Sequence, residues 1–301
     1  YTDETLCGTT VRTIWAPVFT AELSYGEGDE NQTKTFTVTT LPACDATFSW
    51  NGQTIVGTSA TFSYEGEAVT GEEANVTITP TAYYTLRYPS QTISWDGQDN
   101  ASNEVKMLAD VFGTSYGEKW VRIDNAALPA YSWHISAASD YEGSTPVRTA
   151  FTSEDDLGFL FCFVGTPESF RIYSKLAGEG YALTTDGTNS NDATNATALY
   201  LTSDVSNAKM WTIDDTYLTS AASSPGFVIH DTDADGLYGA NPFAKYDYAL
   251  RYWNAEGPQS HWLLQPCSSD DLFSGHYGEK WLQLTFSRDK SYHWSVASTT
   301  D

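Results

Sequence analysis

The sequence predicts an all-β chain: a β-sandwich, then a threefold β-structure, then the beginning of a second copy of that structure. Three observations carry this reading. Thr, Ser, Tyr, Trp and Val are abundant while Met occurs only twice, a balance that favours strands over helices. The stretch that opens at Lys34 alternates with period two, as in Phe36, Val38 and Thr40, and is cut by turn residues. Finally, "YGEKWVRIDNAALPAYSWHISAASD" from Tyr116 returns as "YGEKWLQLTFSRDKSYHWSVASTTD" from Tyr277, without a gap and at an offset of 161. A repeat of roughly 160 residues has the size of a whole domain rather than of a solenoid unit.

Taken in order, residues 1–30 read as an N-terminal strand segment that runs into the acidic linker "YGEGDENQ". Residues 31–88 show strands every 8 to 12 residues, the spacing of an Ig-like sandwich. Within them Asn51-Gly52 suits a two-residue hairpin. Residues 89–111 read as a linker that contains the polar, turn-rich "SWDGQDNASN". The linker also holds a short helical candidate, "NEVKMLADVF", in which Val105, Leu108, Ala109 and Phe112 fall at helical spacing. From 112 to 267, aromatic-centred strands recur at Phe161, Trp211 and Trp262, 50 and 51 residues apart. Each is preceded by a similar strand, "WVRI" at Trp120, "FRIY" at Phe170 and "FVIH" at Phe227. A middle strand recurs as "WHIS" at Trp133, "YALT" at Tyr181 and "ALRY" at Ala249. Residues 268–301 open the second copy. Its apolar residues, among them Trp281, Leu284, Phe286 and Trp294, need cover. Continuation of a longer parent chain would supply it, or docking on "TTVRTIWAPVF" at Thr9 to Phe19.

Composition narrows the function. The chain has 301 residues, with Lys plus Arg at 15 against Asp plus Glu at 39, a formal charge of −24. Such a surface repels phosphate backbones and anionic lipid heads, so nucleic acid is not expected as a partner. No apolar run approaches the roughly 20 residues of a membrane helix, so no membrane insertion is expected. Four cysteines without a CxxC pattern do not suggest zinc. Cys7 with Cys44 and Cys162 with Cys267 are open as pairs, and free thiols are an equal reading. The chain opens at "YTDETLCGTT" with no Met and no basic, apolar stretch, so any secretion signal is expected to lie upstream or to have been removed. Sequons at Asn31, Asn75, Asn100 and Asn195 would matter only in a glycosylating host.

The threefold period, the strand-turn-strand unit "FRIYSKLAGEGYALTTDG" and lobe endings such as "GPQSHWLLQP" resemble the ricin-type β-trefoil family over about residues 112–267. The lobes of that family often close in Gln-x-Trp. Here Lys209 and Ser260 stand where the Gln would be, before Trp211 and Trp262. The resemblance implies a β-trefoil fold and a sugar site in each lobe, built from an acid, an aromatic and an amide. In the second lobe these positions approximate Asp186, Tyr200 and Asn207; in the third they approximate Asp247, Tyr252 or Trp253, and Asn254. An aromatic face covers the C–H patch of a pyranose and the polar groups hold its hydroxyls.

Two further features remain. Asp231, Asp233 and Asp235 in "DTDADG" follow the alternation of a calcium loop, so Ca2+ is the one cofactor the sequence points to. Position twelve of such a loop is Pro242 rather than Glu. The five histidines, His134, His230, His261, His276 and His293, show no nucleophile-base spacing, and no catalytic residue is expected. The expected function is a non-catalytic carbohydrate-binding or adhesion segment of a larger extracellular, modular protein, with a glycan or glycoprotein as partner. An accessory region of a secreted glycoside hydrolase and a structural spacer or platform for a protein partner are the alternatives.

Overall fold

In the computed structural model, the described residues are 2–6, 9–16, 19–21, 33–65, 76–81, 83–89, 93, 100–136, 146–153, 156–186, 197–233, 238–244, 247–267, 285–286 and 289–293. All regular structure among them is strand, apart from short 3-10 turns. Among the described residues no helix is long and apolar enough to cross a membrane.

Strands β1 (Thr2–Leu6), β2 (Thr9–Ala16) and β3 (Phe19–Ala21) form one small antiparallel sheet. Seven strands then make a two-sheet sandwich: β4 (Thr33–Leu41), β5 (Ala46–Trp50), β6 (Gln53–Gly57), β7 (Ser59–Glu65), β8 (Thr77–Pro80), β9 (Tyr84–Leu86) and β10 (Ala101–Ala109). The sheets run β7-β4-β10-β9 and β6-β5-β8. Asn51 and Gly52, at φ 46° and 75°, form the expected tight hairpin between β5 and β6. Alternation on β4, β5 and β7 turns Phe36, Val38, Phe48, Trp50 and Phe62 into one core, with Phe36 edge-on to Trp50 at 4.9 Å.

Strand β10 corrects the reading of 89–111. Residues 101–109 are no linker and no helix; they pair in parallel with β4 and antiparallel with β9. The helical spacing arose because burial alternates along the strand only as far as Met107 and then runs unbroken through Leu108 and Ala109. Val105 and Met107 enter the sandwich core, whereas Leu108, Ala109 and Val111 enter the core of the following unit. Charged contacts fasten the same junction: Lys106 donates to the Asp215 carbonyl at 2.8 Å and to its carboxylate at 3.2 Å. Arg87 lies 2.9 Å from Glu168, and the Ser220 amide donates to Glu104.

After the short β11 (Phe112–Gly113) come twelve strands in three lobes of four. The first lobe is β12 (Trp120–Asn125), β13 (Tyr131–His134), β14 (Arg148–Phe151) and β15 (Phe161–Thr166). The second is β16 (Ser169–Ser174), β17 (Ala182–Thr185), β18 (Leu199–Thr202) and β19 (Trp211–Asp214). The third is β20 (Val228–Asp231), β21 (Tyr238–Phe243), β22 (Ala249–Asn254) and β23 (Trp262–Cys267). First and fourth strands close a six-stranded barrel, β12-β15-β16-β19-β20-β23 and back to β12. Second and third strands form three hairpins, joined to one another where Val147 donates to Leu199 and Leu250 donates to Val147. This is a β-trefoil.

Equivalent registers confirm the period. Phe161, Trp211 and Trp262 each open a fourth strand, face Val121, Phe170 and Phe227 on the first strand, and are fully buried. Two details differ from the sequence reading. The first-strand equivalent of Phe170 is Val121, one place beyond Trp120, because Trp120 points to a separate cluster with Tyr116, Cys162 and Tyr173. In the third lobe "ALRY" is the third strand rather than the middle one, which is β21.

The repeated "YGEKW" is the turn into β12. Gly117 sits at φ 78°, Tyr116 packs edge-on against Trp120 at 5.4 Å, and Lys119 reaches Asp110 at 2.6 Å. Its later copy leads into β24 (Thr285–Phe286) and β25 (Asp289–His293), where Thr285 faces His293. In the first copy Asp124 faces Ser132. Both members of the pair are displaced by 161, so the C-terminal hairpin has the register of the opening hairpin of the trefoil. The docking of residues 273–301 on Thr9 to Phe19 falls outside the described residues; the N-terminal strands pair with one another, and β24 with β25.

Cys44 and Cys162 are buried free thiols, and Cys7 falls outside the described residues. Cys162 and Cys267 flank β12 on opposite sides, two strand spacings or about 10 Å apart, beyond the reach of a disulfide.

The lobes fill the barrel unequally. Trp211 and Trp262 donate their indole N–H groups to the carbonyls of Leu183 and Ala240 on the second strand. In the first lobe Phe161 replaces the indole, and Trp133 stands at the position of Leu183 and Ala240. Trp133 fills the shortfall edge-on to Phe161 at 6.0 Å and to Trp262 at 5.4 Å, with its own N–H unpaired. Trp133→Leu alone is expected to cost about 2–5 kcal/mol through the cavity it leaves. Phe161→Trp alone is expected to cost about 1–3 kcal/mol through overpacking. The double variant restores the second-lobe arrangement, so a double-mutant cycle by denaturant unfolding should give a cost below the sum of the two.

Candidate functional site

In the second lobe the chain brings two of the three expected site residues together. Tyr200 faces Thr184 across the β17–β18 hairpin, and Asp186 follows β17 directly. Period-two alternation sends Leu199 and Leu201 into the core and turns the Tyr200 ring outward between them. Its hydroxyl donates to the exposed Asp186 carboxylate at 2.5 Å. That bond, with lesser help from burial and from the carboxylate charge, pushes the Tyr200 phenol up to about 12. The pair presents an aromatic face beside a carboxylate with lone pairs left over, which is the donor-acceptor set a polyhydroxylated ring requires.

The third member is engaged elsewhere. Asn207 donates its side-chain amide to Asp204 at 2.9 Å, and Ser206 donates to the same carboxylate. Asn207 and then Ser206 hold the Asp204 carboxyl below its usual range. Arg171 fastens this loop by donating to the Ser206 carbonyl. Asp204 was not among the expected site residues, although Asp, Ser and Asn clustered in "SDVSN" are a turn signal.

The third-lobe set does not assemble as the sequence suggested. Cross-strand partners show that Ala240 faces Tyr252 as Leu183 faces Leu201, so Tyr252 is an inward position. It is 0% exposed, lies near Trp211, and cannot serve as an outer platform. The residue at the place of Tyr200 is Arg251, and in the first lobe Arg148. Trp253 and Asn254 are half-buried, and the Asn254 side chain accepts from the Glu256 amide. Asp247 lies in the β21–β22 turn, where Arg148 donates to its carboxylate at 2.5 Å and to its carbonyl at 2.9 Å.

The calcium pattern meets competing partners. Asp231 is buried; its carboxylate accepts from the Tyr252 hydroxyl at 2.6 Å and from the Asp233 amide at 2.9 Å. Asp233 holds the Lys209 ammonium at 2.8 Å, a cation already in place. Asp235 falls outside the described residues, and the described ones contain no cluster of three metal-ligating side chains. Asp231 and Asp233 as placed do not fit a calcium ion. Elsewhere, His134 bonds Asp156 at 3.0 Å over Phe159, and burial pushes the Cys162 thiol up to about 11, away from nucleophilic use.

No family model matches the chain, and no curated protein matches it. Among solved structures, a ricin B-like lectin of Macrolepiota procera in complex with lactose aligns at 16% identity, with a TM-score of 0.37, over 50% of this chain and 97% of that one. A mosquitocidal holotoxin aligns at 14% identity and TM-score 0.37 over 57% of this chain and 19% of its own. Lysenin in complex with phosphocholine aligns at 11% identity and TM-score 0.37 over 86% and 95%. No residue role is carried over from them.

Two outcomes test the geometry. The phenol of Tyr200 is raised in the folded state, so its contribution to stability is complete below pH of about 10 and is lost as pH rises through about 12. The difference between the tyrosinate absorbance titrations of the parent and Tyr200→Phe should show one group near 12, and in an Asp186→Ala background that group should fall back toward about 10. Tyr252→Phe removes the donor to a buried carboxylate and is expected to cost about 1–3 kcal/mol in denaturant unfolding.

Proposed function

We propose that the chain is a non-catalytic carbohydrate-binding and adhesion segment of a larger extracellular, modular protein, with a glycan or glycoprotein as its partner. One observation carries the reading: on an outward strand of the second lobe, Tyr200 is hydrogen-bonded to the exposed carboxylate of Asp186. A pyranose stacks its apolar face on an aromatic ring while its hydroxyls donate to a fixed carboxylate. The net charge of −24 supports a neutral ligand over a phosphate-bearing one. The trefoil supports the reading by pairing β18, which carries Tyr200, with β17, which Asp186 follows.

A glycan array probed with the intact chain is the test. Retention on at least one neutral glycan is expected. Asp186→Ala and Tyr200→Ala should each reduce it by about tenfold, the loss of roughly one charge-assisted hydrogen bond or one stacked ring. Asn254→Ala, in a lobe that lacks the pair, should leave it unchanged. A chain that binds no glycan, or binds equally well without both side chains, rules the reading out.

A further inference from the structure

A second aromatic surface lies between the first and third lobes, away from Asp186 and Tyr200. Tyr131 opens β13, Phe151 faces it at the end of β14, and Tyr248 comes across from the β21–β22 turn. The Tyr131 ring lies 4.4 Å from Phe151 and 6.1 Å from Tyr248, at interplanar angles of only 32° and 25°. Phe151 is 69% exposed and Tyr248 42%, so the outer ring faces are open to solvent.

The arrangement is held at a conformational cost. Asp247 and Tyr248 both take positive φ, 54° and 58°, a left-handed turn in which a bulky aromatic is an outlier. Arg148 of the first lobe pins this turn by bonding both the carboxylate and the carbonyl of Asp247, and Thr149 donates its amide to the Tyr248 carbonyl. Glycine or asparagine would take the turn without strain. A strained tyrosine, held in place by a neighbouring lobe, sets its ring into register with two others. The Asp247 carboxylate, next in the chain and 87% exposed, keeps lone pairs for a hydroxyl donor.

We propose that Tyr131, Phe151 and Tyr248 form a second binding site, for a neutral oligosaccharide that stacks on Phe151 and Tyr248. Tyr131 is covered by its neighbours, and the exposed rings of Phe151 and Tyr248 offer one stacking position each, which suits two residues of a sugar chain more than a single ring. The charge of −24 disfavours anionic lipid and nucleic acid as the occupant. Arg148 is a positioning residue, since its hydrogen bonds to Asp247 hold the turn that carries Tyr248.

The test uses the intact chain, its Phe151→Ala and Tyr248→Gly variants and, as a separate arm, Tyr200→Ala. All are assayed on immobilised chitohexaose, cellohexaose, xylohexaose and lactose and on phosphatidylcholine vesicles. Phe151→Ala is expected to weaken retention on one of the hexasaccharides by about tenfold. Tyr248→Gly should weaken it too while raising the thermal midpoint, because glycine relieves the turn; a merely structural tyrosine would lower the midpoint on removal and would overturn the site. Loss with Tyr200→Ala but none with Phe151→Ala overturns this site and leaves the second-lobe reading standing. Failure of the intact chain to bind any of the sugars overturns it as well. So does Phe151-dependent partitioning onto the vesicles without sugar binding.

Discussion

Closure of the six-stranded barrel is the constraint on which the rest depends. Strand β12 bonds to β15 on one side and to β23 on the other, so three lobes must meet around one shared interior of fixed size. The lobes fill that interior with unlike residues. Phe161 with Trp133, Trp211 with Leu183, and Trp262 with Ala240 are three ways of filling a common space. A close-packed core cannot absorb a missing indole by relaxing, so the ring lost from one strand reappears on its neighbour. The unpaired Trp133 N–H is the residue of that compromise.

The same constraint frees the outer positions. Tyr200, Arg148 and Arg251 occupy equivalent places on the three hairpins, and none of them enters the barrel interior. One lobe can therefore present an aromatic beside an acid while the other two present guanidinium groups. Arg148 fastens a turn of the third lobe. Symmetry of the core thus coexists with three unlike surfaces.

How much of this was legible follows from the period of each signal. The 50-residue rhythm of Phe161, Trp211 and Trp262 was visible because every lobe must supply a large inward side chain at the same place. The tandem offset was visible because turn residues such as Gly117 are fixed by backbone geometry. Tyr252 was misplaced because, in a strand, a shift of one residue exchanges inside for outside, and a lone aromatic does not announce its side. Residues 101–109 were misread because the strand ends in three consecutive buried residues, Met107 to Ala109, which break its alternation and imitate a helix. The grouping of Tyr131, Phe151 and Tyr248 has no linear signature; the three come from strands and a turn that only the trefoil brings together.

The sandwich has one more property, which follows from the direction of its outermost connections. Strand β4 enters the domain and β10 leaves it, and the two run parallel over six residue pairs, from Phe36 with Ala101 to Leu41 with Lys106. Tension along the chain pulls β4 toward its start and β10 toward its end, which is sliding in opposite directions along a shared axis. The backbone hydrogen bonds between them are then loaded together, in shear, and must break as a group rather than one after another as in an unzipping hairpin. Because the far end of β10 is embedded in the trefoil core through Leu108 and Ala109, a load on the trefoil passes into this clamp without a slack segment between. The junction that looked like a linker in the sequence is a force-bearing strut.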